Sequence, residues 1–296
     1  MRTFIALVLA ATIWLPTLHL WFRTTPDELR APMVTGQLAR WERPDRDGLA
    51  TLRRTNPEWD LMARTFAVLT FANQALREDE PRYLRAIDAI IDDTVALEAA
   101  HGHRYFLLAY ADRAPFLDVA QRSLFVDGEL ALMLAARQLV SADAARGAQL
   151  GARVDRVAGQ LERGPALLGE SYPDEAWVFC NAVALAAIRI ADLTEGSDHA
   201  DLIARWLASA KASLIDRGTG LLVSETTYAG QVQDGPEGST IWLVADMLLV
   251  VDPAFARAQY ARARAGAAHR PSGAARPRGP ARRRAATTAR STARTR

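Results

Sequence analysis

Apolar positions recur along this chain in two kinds of helical segment, and the two kinds alternate. In segments 124–140 and 177–191, apolar residues occupy nearly every face, which is typical of a helix buried on all sides. In segments 142–163 and 200–214, apolar residues recur at helical spacing and charged residues fill the opposite face. The pattern therefore predicts interior helices that alternate with exterior ones.

The alternation spans residues 56–264 and gives four inner/outer helix pairs. Turns are short within a pair, whereas long segments, 101–115, 164–174 and 216–238, separate the pairs. Connections of this kind place the long loops at one end, where the inner helices begin. The sequence therefore predicts an all-α fold: an (α/α)-type barrel, or toroid, of two concentric rings that is incomplete because it has only about four pairs.

Residues 3–22 form an apolar run without Asp, Glu, Lys or Arg. Its length is close to the roughly 20 residues that cross a bilayer as a helix, although Pro16 and His19 interrupt it. The run ends in bulky aromatic residues rather than in the small residues of a signal-peptide cleavage site. We therefore expect residues 1–22 to be an uncleaved membrane anchor rather than a signal, and the protein to be membrane-attached, with the side of the body undetermined.

Residues 23–55 contain several prolines and many charges and are predicted to be a linker with at most short helices. The chain ends in an Arg/Ala/Pro-rich segment, 265–296, with nine arginines and no acid, whereas the residues before it carry a net charge of −7. That tail has no apolar periodicity, so we expect it to be disordered. GC-rich codons specify the same residues, so a shifted reading frame explains the tail better than a nucleic-acid partner, which we do not expect.

The stretch 169–181 organises the candidate chemistry. An irregular Gly/Ser/Pro segment leads there into an apolar helix that contains Cys180, the only cysteine of the chain, and Asn181. One cysteine excludes an intrachain disulfide and leaves the redox compartment open. A free cysteine is often a small core residue, but this one lies beside acidic and aromatic residues at a helix start. Glu129 is similar, because a carboxylate within an apolar helix needs a partner or a raised pKa; Asp127 is expected to face solvent instead.

Several short motifs, in this order and spacing, resemble the linalool dehydratase-isomerase family. The motifs are Gly128-Glu129-Leu130, Gln138-Leu139-Val140, Pro173-Asp174, Cys180-Asn181, Thr194-Glu195-Gly196-Ser197-Asp198-His199 and Leu214-Ile215-Asp216. The resemblance covers about residues 56–264 and implies an (α/α)6 barrel. In that family two cysteines nine residues apart and a histidine act as acid/base groups on a terpene alcohol. Cys180 matches the second cysteine, Ser171 stands in place of the first, and Glu129 stands in place of the histidine.

The resemblance and the residues together predict a lyase or isomerase that dehydrates or isomerises a small apolar, terpenoid-like alcohol without a cofactor. Glu129 is the predicted acid/base, with Cys180 assisting as a base and Tyr172 as the third catalytic residue. We expect these three side chains to converge in one cavity at the loop end, with Trp177 or Trp242 as its apolar wall. The predicted substrate-binding residues are Ser171, Asp174, Trp177, Asn181, Tyr228 and Trp242. His101 and His103 lack a further ligand pair at metal-binding spacing, so no metal site is predicted, and a homo-oligomer is left open.

Two other functions stay open at this point. A carbohydrate-active toroid would use paired carboxylates, such as Asp174 and Glu237, at a separation set by its mechanism. A non-catalytic, membrane-anchored binding protein would need only a pocket. An apolar pocket favours the terpenoid interpretation, and an open polar groove favours the sugar interpretation.

Overall fold

The structure, a computed structural model, describes residues 1–23, 25–43, 47–78 and 81–268. Across these residues the chain is predominantly helical, which confirms the all-α expectation. The helices are α1 (Arg2–Arg23), α2 (Pro26–Trp41), α3 (Asp47–Thr55), α4 (Pro57–Ala75), α5 (Pro81–His101), α6 (Leu124–Val140), α7 (Ala144–Arg163), α8 (Val178–Glu195), α9 (Ala200–Ser213), α10 (Gly238–Val251) and α11 (Pro253–Ala268). The expectation for the tail lies, from residue 269 onward, outside the described residues.

Helices α4, α6, α8 and α10 form a row in which each helix contacts the next. Helices α5, α7 and α11 pack against α4, α6 and α10 respectively, and Lys211 of α9 forms an ion pair with Asp252 at the start of α11 (2.8 Å). The row is apolar on nearly all sides, so burying it supplies most of the hydrophobic free energy of the fold. Residues at the start of each helix in the row therefore lie close to one another in space.

The long connections that precede the inner helices are hydrogen-bonded to one another. Ser123 donates through Oγ to the carbonyl of Ser171 (2.6 Å), and the amide of Val178 donates to the carbonyl of Ser224 (3.0 Å). A small antiparallel sheet links two of these connections, in the order β1 (Ala176–Trp177), β2 (Glu225–Thr226) and β3 (Val232–Asp234). Gly230, at φ 87°, makes the turn between β2 and β3, because a positive φ carries no steric penalty for glycine.

The segment expected to be a linker contains a regular helix of 16 residues, α2. Thr25 and Glu28 form a capping box at its start, and Pro26 occupies the first turn, where a missing N–H is harmless. Val34, Leu38 and Trp41 of α2 are buried in the core. Pro26 thus starts a helix, and Pro32 lies inside the same helix.

The predicted membrane anchor is wrong. In the part of the chain that the structure describes, no helix combines the length and the apolarity that a membrane span requires. Helix α1 (Arg2–Arg23) contains Pro16, and Thr17 and His19 follow it in the sequence, so the second half of the run is less apolar than the first. The prediction counted the apolar residues on both sides of this proline as one run.

Asp127 does not face solvent as expected, because its side chain is fully buried in an ion network between α6 and α7. Arg122 and Arg153 each donate to Oδ1 at 2.7 Å, and Gln160 donates to Oδ2 at 2.8 Å. Burial alone would raise the pKa of this carboxyl, but these partners hold it at about 2. The network joins the inner helix α6 to the outer helix α7 on the side of α6 that faces away from the helix row.

Candidate active site

A cavity of about 290 Å³ lies where the inner helices begin. Each helix of the row contributes from its first or second turn: Glu58 from α4, Phe125 from α6, Cys180 from α8 and Thr240 from α10. The remaining lining residues are Trp59, Met62, Ser171, Tyr172, Trp177, Phe179, Ser239 and Leu243. The volume is at the lower end of the range of small-molecule sites, roughly 300–1,000 Å³.

The polar centre of the cavity is a carboxylate–phenol pair. Tyr172 donates through its hydroxyl to Oε1 of Glu58 (2.6 Å), and the same hydroxyl accepts from the amide of Leu108 (2.9 Å). The second carboxylate oxygen, Oε2, accepts from the side-chain amide of Asn56 (3.3 Å). Burial and the bond to Glu58 raise the pKa of Tyr172 well above its ordinary value, so the phenol stays protonated and is fixed as a donor.

The carboxylate of Glu58 is positioned by the start of α4. Asn56 is the N-cap of this helix, with its Oδ1 accepting from the amide of Glu58 at 2.8 Å, and Pro57 follows at the first helical position. An acidic side chain in the first turn interacts favourably with the positive end of the helix dipole. The local sequence therefore fixes Glu58 in the first turn of α4, whereas its contact with Tyr172 depends on the tertiary fold.

Cys180 lies beside this pair as a buried thiol. Burial raises the pKa of Cys180 above its ordinary value, the Ser171 hydroxyl opposes that shift through a hydrogen bond, and the charges of Glu129 and Glu58 add to it. The thiol is therefore protonated near neutral pH, and it offers a weak S–H donor rather than a thiolate. The expected role of Cys180 as a base conflicts with this protonation state.

Glu129 is fully buried but is not among the residues that line the cavity. Burial raises its pKa to about 7, and a hydrogen bond from the Thr65 hydroxyl only partly opposes this. Its charge acts on Cys180, so it lies near the thiol but outside the cavity lining. The expected meeting of Glu129, Cys180 and Tyr172 in one cavity is thus found for Cys180 and Tyr172 only.

Aromatic residues complete the wall around the carboxylate–phenol pair. The ring of Tyr110 stacks on Tyr172 with centroids 4.6 Å apart, and its hydroxyl donates to Oε2 of Glu175 (2.8 Å). The same Oε2 accepts from the indole N–H of Trp177 (3.4 Å). Glu175 therefore orients both Tyr110 and Trp177, and Trp177 is the apolar wall that the sequence predicted.

Two predicted substrate-binding residues act on the backbone instead. Asn181 is fully buried and accepts from the amide of Gly169 (3.0 Å), while its NH₂ donates to the carbonyls of Gly169 (3.3 Å) and Trp177 (2.9 Å). Asp174 is exposed, with φ 58°, and its Oδ1 accepts from the amide of Tyr228 (3.2 Å). Neither residue lines the cavity. Both instead form hydrogen bonds with backbone groups that fix the loop carrying Ser171 and Tyr172.

Two further predicted substrate-binding residues point elsewhere. Tyr228 is hydrogen-bonded to Asp118, and burial together with the charge of Asp118 raises its pKa to about 12. Trp242 is 42% exposed and packs edge-on against Tyr260 of α11, with ring centroids 5.6 Å apart. Its neighbour Leu243 lines the cavity instead, because successive helical residues point in directions about 100° apart.

The carbohydrate-active alternative gains nothing from this geometry. Glu237 is exposed and, like Asp174, lies outside the cavity lining, so the proposed carboxylate pair of a sugar hydrolase does not form there. Within the described part of the chain, no three His, Cys, Asp or Glu side chains gather into a metal-binding group. His103 is instead half-buried beside Phe116, and this partial burial lowers its pKa to about 4.

Glu58 is the residue that sequence reasoning missed, since Asn56-Pro57-Glu58 has the ordinary pattern of a helix start: a cap, a proline and an early acid. A signal was nevertheless present. Glu58 lies in the first turn of a helix that is apolar on nearly all faces, which is the same kind of position as that of Cys180. Its partner Tyr172 lies 114 residues further along the chain, so no local pattern connects the two.

Comparison with known proteins adds no relative: no protein-family model matches the chain, and no curated protein matches it. The resemblance to the linalool dehydratase-isomerase family therefore stays a prediction from the residues.

Proposed function

We propose that this chain is a hydro-lyase or isomerase that acts on a small apolar alcohol, built as an incomplete (α/α)6-type toroid. The observation that carries the proposal is the Glu58–Tyr172 pair at the wall of a small cavity whose other walls are mostly aromatic and aliphatic. A single ionisable pair in such surroundings suits an uncharged substrate with one hydroxyl group. The row of inner helices with exterior helices packed behind it supports the toroid.

The proposed reaction begins with the substrate hydroxyl near the carboxyl of Glu58. In the proposed reactive state Glu58 carries a proton on Oε2, the oxygen that does not accept from Tyr172. That proton passes to the hydroxyl oxygen, the C–O bond breaks, and water leaves. The carboxylate then removes a proton from the carbon next to the cationic centre, which forms the double bond and regenerates the acid. One carboxyl thus serves as acid and then as base, and re-addition of water at another carbon would give an isomer.

The neighbouring groups support these steps in different ways. Tyr172 fixes the carboxyl of Glu58 through its hydrogen bond. The rings of Trp59, Phe125 and Trp177 line the cavity, and aromatic faces attract developing positive charge. Cys180 provides an S–H group for the substrate oxygen. Glu129, with a pKa of about 7, is a proton reservoir near it; this replaces the direct proton transfer expected from the sequence.

The test measures turnover of a panel of short allylic and tertiary alcohols by gas chromatography of the alkene and isomer products. We expect product from the unaltered chain and a loss of at least about 100-fold in Glu58→Gln, the lower limit for removal of a general acid or base. Tyr172→Phe should lower kcat more modestly, because the carboxyl remains while its orientation is lost.

Glu42→Gln is the matched control, since Glu42 is an exposed carboxylate just after α2 and outside the cavity. It should leave turnover unchanged. Normal turnover in Glu58→Gln would refute the assigned role of this carboxyl. Tight alcohol binding without any product would instead identify a non-catalytic binding protein.

A further inference from the structure

A second and larger recess lies between α2 and α4, and it does not share any lining residue with the candidate active site. Its volume is about 930 Å³. The two helices run antiparallel along it, since Trp41 at the end of α2 lies against Arg64 in the first half of α4. The groove follows α4 from Ala63 to Arg77, a length of about 21 Å at 1.5 Å per residue.

The walls of this groove are apolar along most of their length. Leu29, Met33 and Val34 of α2 face Phe66 and Ala67 of α4. Met33 is 71% exposed and Phe66 is 41% exposed, although both are large apolar side chains. Large contiguous apolar patches are rare on the surface of a protein, and where they occur they usually mark a binding site.

The charge of the groove has one sign. Its charged lining residues, within the part of the chain described, are Arg30, Arg40 and Arg77, and none of its lining residues is acidic. Arg30 is paired with Asp27 at 2.8 Å, but this Asp is 75% exposed, and such surface pairs are weak. The groove therefore attracts an anion rather than a cation.

Two of the three arginines lie at one end of the groove, whereas Arg40 lies toward the other end. Because α2 and α4 run antiparallel, Arg30 near the start of α2 and Arg77 just beyond α4 lie at the same end, with Asn73 and Gln74 between them. Gln74 is 3% exposed, and its Oε1 accepts no hydrogen bond from the described structure. A buried amide oxygen without a donor is unfavourable, and a water carried by a bound headgroup can supply that donor.

We propose that this groove binds a free long-chain carboxylic acid in its ionised form, one molecule per chain. The alkyl chain lies between α2 and α4 against Met33 and Phe66, and the carboxylate is held by Arg30 and Arg77. A guanidinium group forms two parallel hydrogen bonds with a carboxylate, which fits this ligand better than an uncharged alcohol. The proposal does not depend on the function assigned to the other cavity.

Isothermal titration calorimetry of the full chain with dodecanoate, below its micelle concentration, tests the proposal. We expect saturable binding with one site per chain, and weaker binding of dodecanol and of dodecyltrimethylammonium. Arg30→Gln with Arg77→Gln should lower the affinity for dodecanoate at least tenfold. Met33→Glu should lower it as well, and since Met33 is mostly exposed, that change leaves the fold intact.

The matched control is Arg85→Gln with Arg217→Gln, two exposed arginines outside the groove, which should retain full affinity. Helical circular dichroism of every variant verifies folding. Three results would each overturn the proposal: dodecanol binding as tightly as dodecanoate, unchanged affinity in the Arg30/Arg77 variant, or binding to vesicles of anionic lipid without binding of the free acid.

Discussion

Asp127 and Glu129 lie two residues apart on α6, and both are buried, yet their pKa values shift in opposite directions. Asp127 faces Arg153 of α7 and Arg122, which precedes α6; both donate to it and hold its pKa at about 2. Glu129 faces the interior of the helix row, where burial raises its pKa to about 7 and Thr65 is its hydrogen-bond partner. At the residue scale the partners, rather than burial, decide whether a carboxyl is charged.

Glu129→Gln tests this assignment through the pH dependence of stability. The pKa of Glu129 is higher in the folded chain than in the unfolded chain, so folding is favoured when this group is protonated. Its contribution to stability is fully present below the pKa of the unfolded chain, about 4.3. It is lost as the pH rises through about 7. Relative to the unaltered chain, the free energy of unfolding of Glu129→Gln should therefore rise by up to about 3 kcal/mol between pH 4 and pH 8.

Urea denaturation at a series of pH values measures this difference. The control is Glu42→Gln at an exposed position, for which the free energy of unfolding should follow that of the unaltered chain at every pH. Stability curves of Glu129→Gln and the unaltered chain that run parallel across this range would contradict the raised pKa.

At the element scale, the start of α8 determines the position of the loop that lines the cavity. The side chain of Asn181 forms hydrogen bonds with both the amide and the carbonyl of Gly169. Glu170 accepts from the amides of Leu117, Asp118 and Asp174. Ser171 and Tyr172 follow directly, so polar side chains on either side of them fix their backbone. The otherwise apolar helix α8 can carry the polar residue Asn181 because the loop supplies its hydrogen-bond partners.

Asn181→Ala should therefore destabilise the protein. The substitution leaves the amide and carbonyl of Gly169 without partners in the interior, and an unpaired buried polar group costs about 1–3 kcal/mol. We expect a loss of about 2–4 kcal/mol in the free energy of unfolding, measured by urea denaturation. Asn73→Ala is the matched control, because its exposed amide donates only to Leu69 (3.0 Å), and it should change stability by less than about 0.5 kcal/mol. Equal effects in both variants would refute the role of Asn181.

At the scale of the whole molecule, the core begins at α2 rather than at α1. Val34 and Leu38 of α2 are buried in the same cluster as residues of α4 to α8. In α1, by contrast, the side chains of residues 2–17 are exposed throughout. The apolar groove between α2 and α4 and the cavity at the helix starts both belong to the part of the chain after α1.

A chain that begins at Thr25 should accordingly fold as the full chain does. Because residues 2–17 bury no side chain, we expect the free energy of unfolding to change by less than about 0.5 kcal/mol, the usual limit for exposed positions. Thermal and urea denaturation measure this. Removal of residues 1–41 is the comparison, since it also deletes Val34, Leu38 and Trp41, and it should destabilise the chain strongly. A large loss on removing residues 1–24 alone would contradict the boundary.

The amino-acid sequence by itself determined the order and the kind of the helices from α4 onward. It also indicated the stretch from Gly169 to Asn181 as the candidate site, because the lone cysteine lies there beside acidic and aromatic residues at a helix start. Helical periodicity is a local property: it shows which residues share a face, and hence which helices are interior. The start of α2 at Thr25 and Glu28 was equally local and could have been recognised from its capping box.

Only the tertiary structure decided which side chains meet. Glu58 and Tyr172 are 114 residues apart, and their contact depends on how α4 and α8 lie in the row. The same packing turned Trp242 toward α11 and placed Asn181 against Gly169 rather than in the cavity. A sequence pattern shows on which face of a helix a residue lies. Which other element packs against that face is determined by contacts between distant parts of the chain, and a candidate site consists of such contacts.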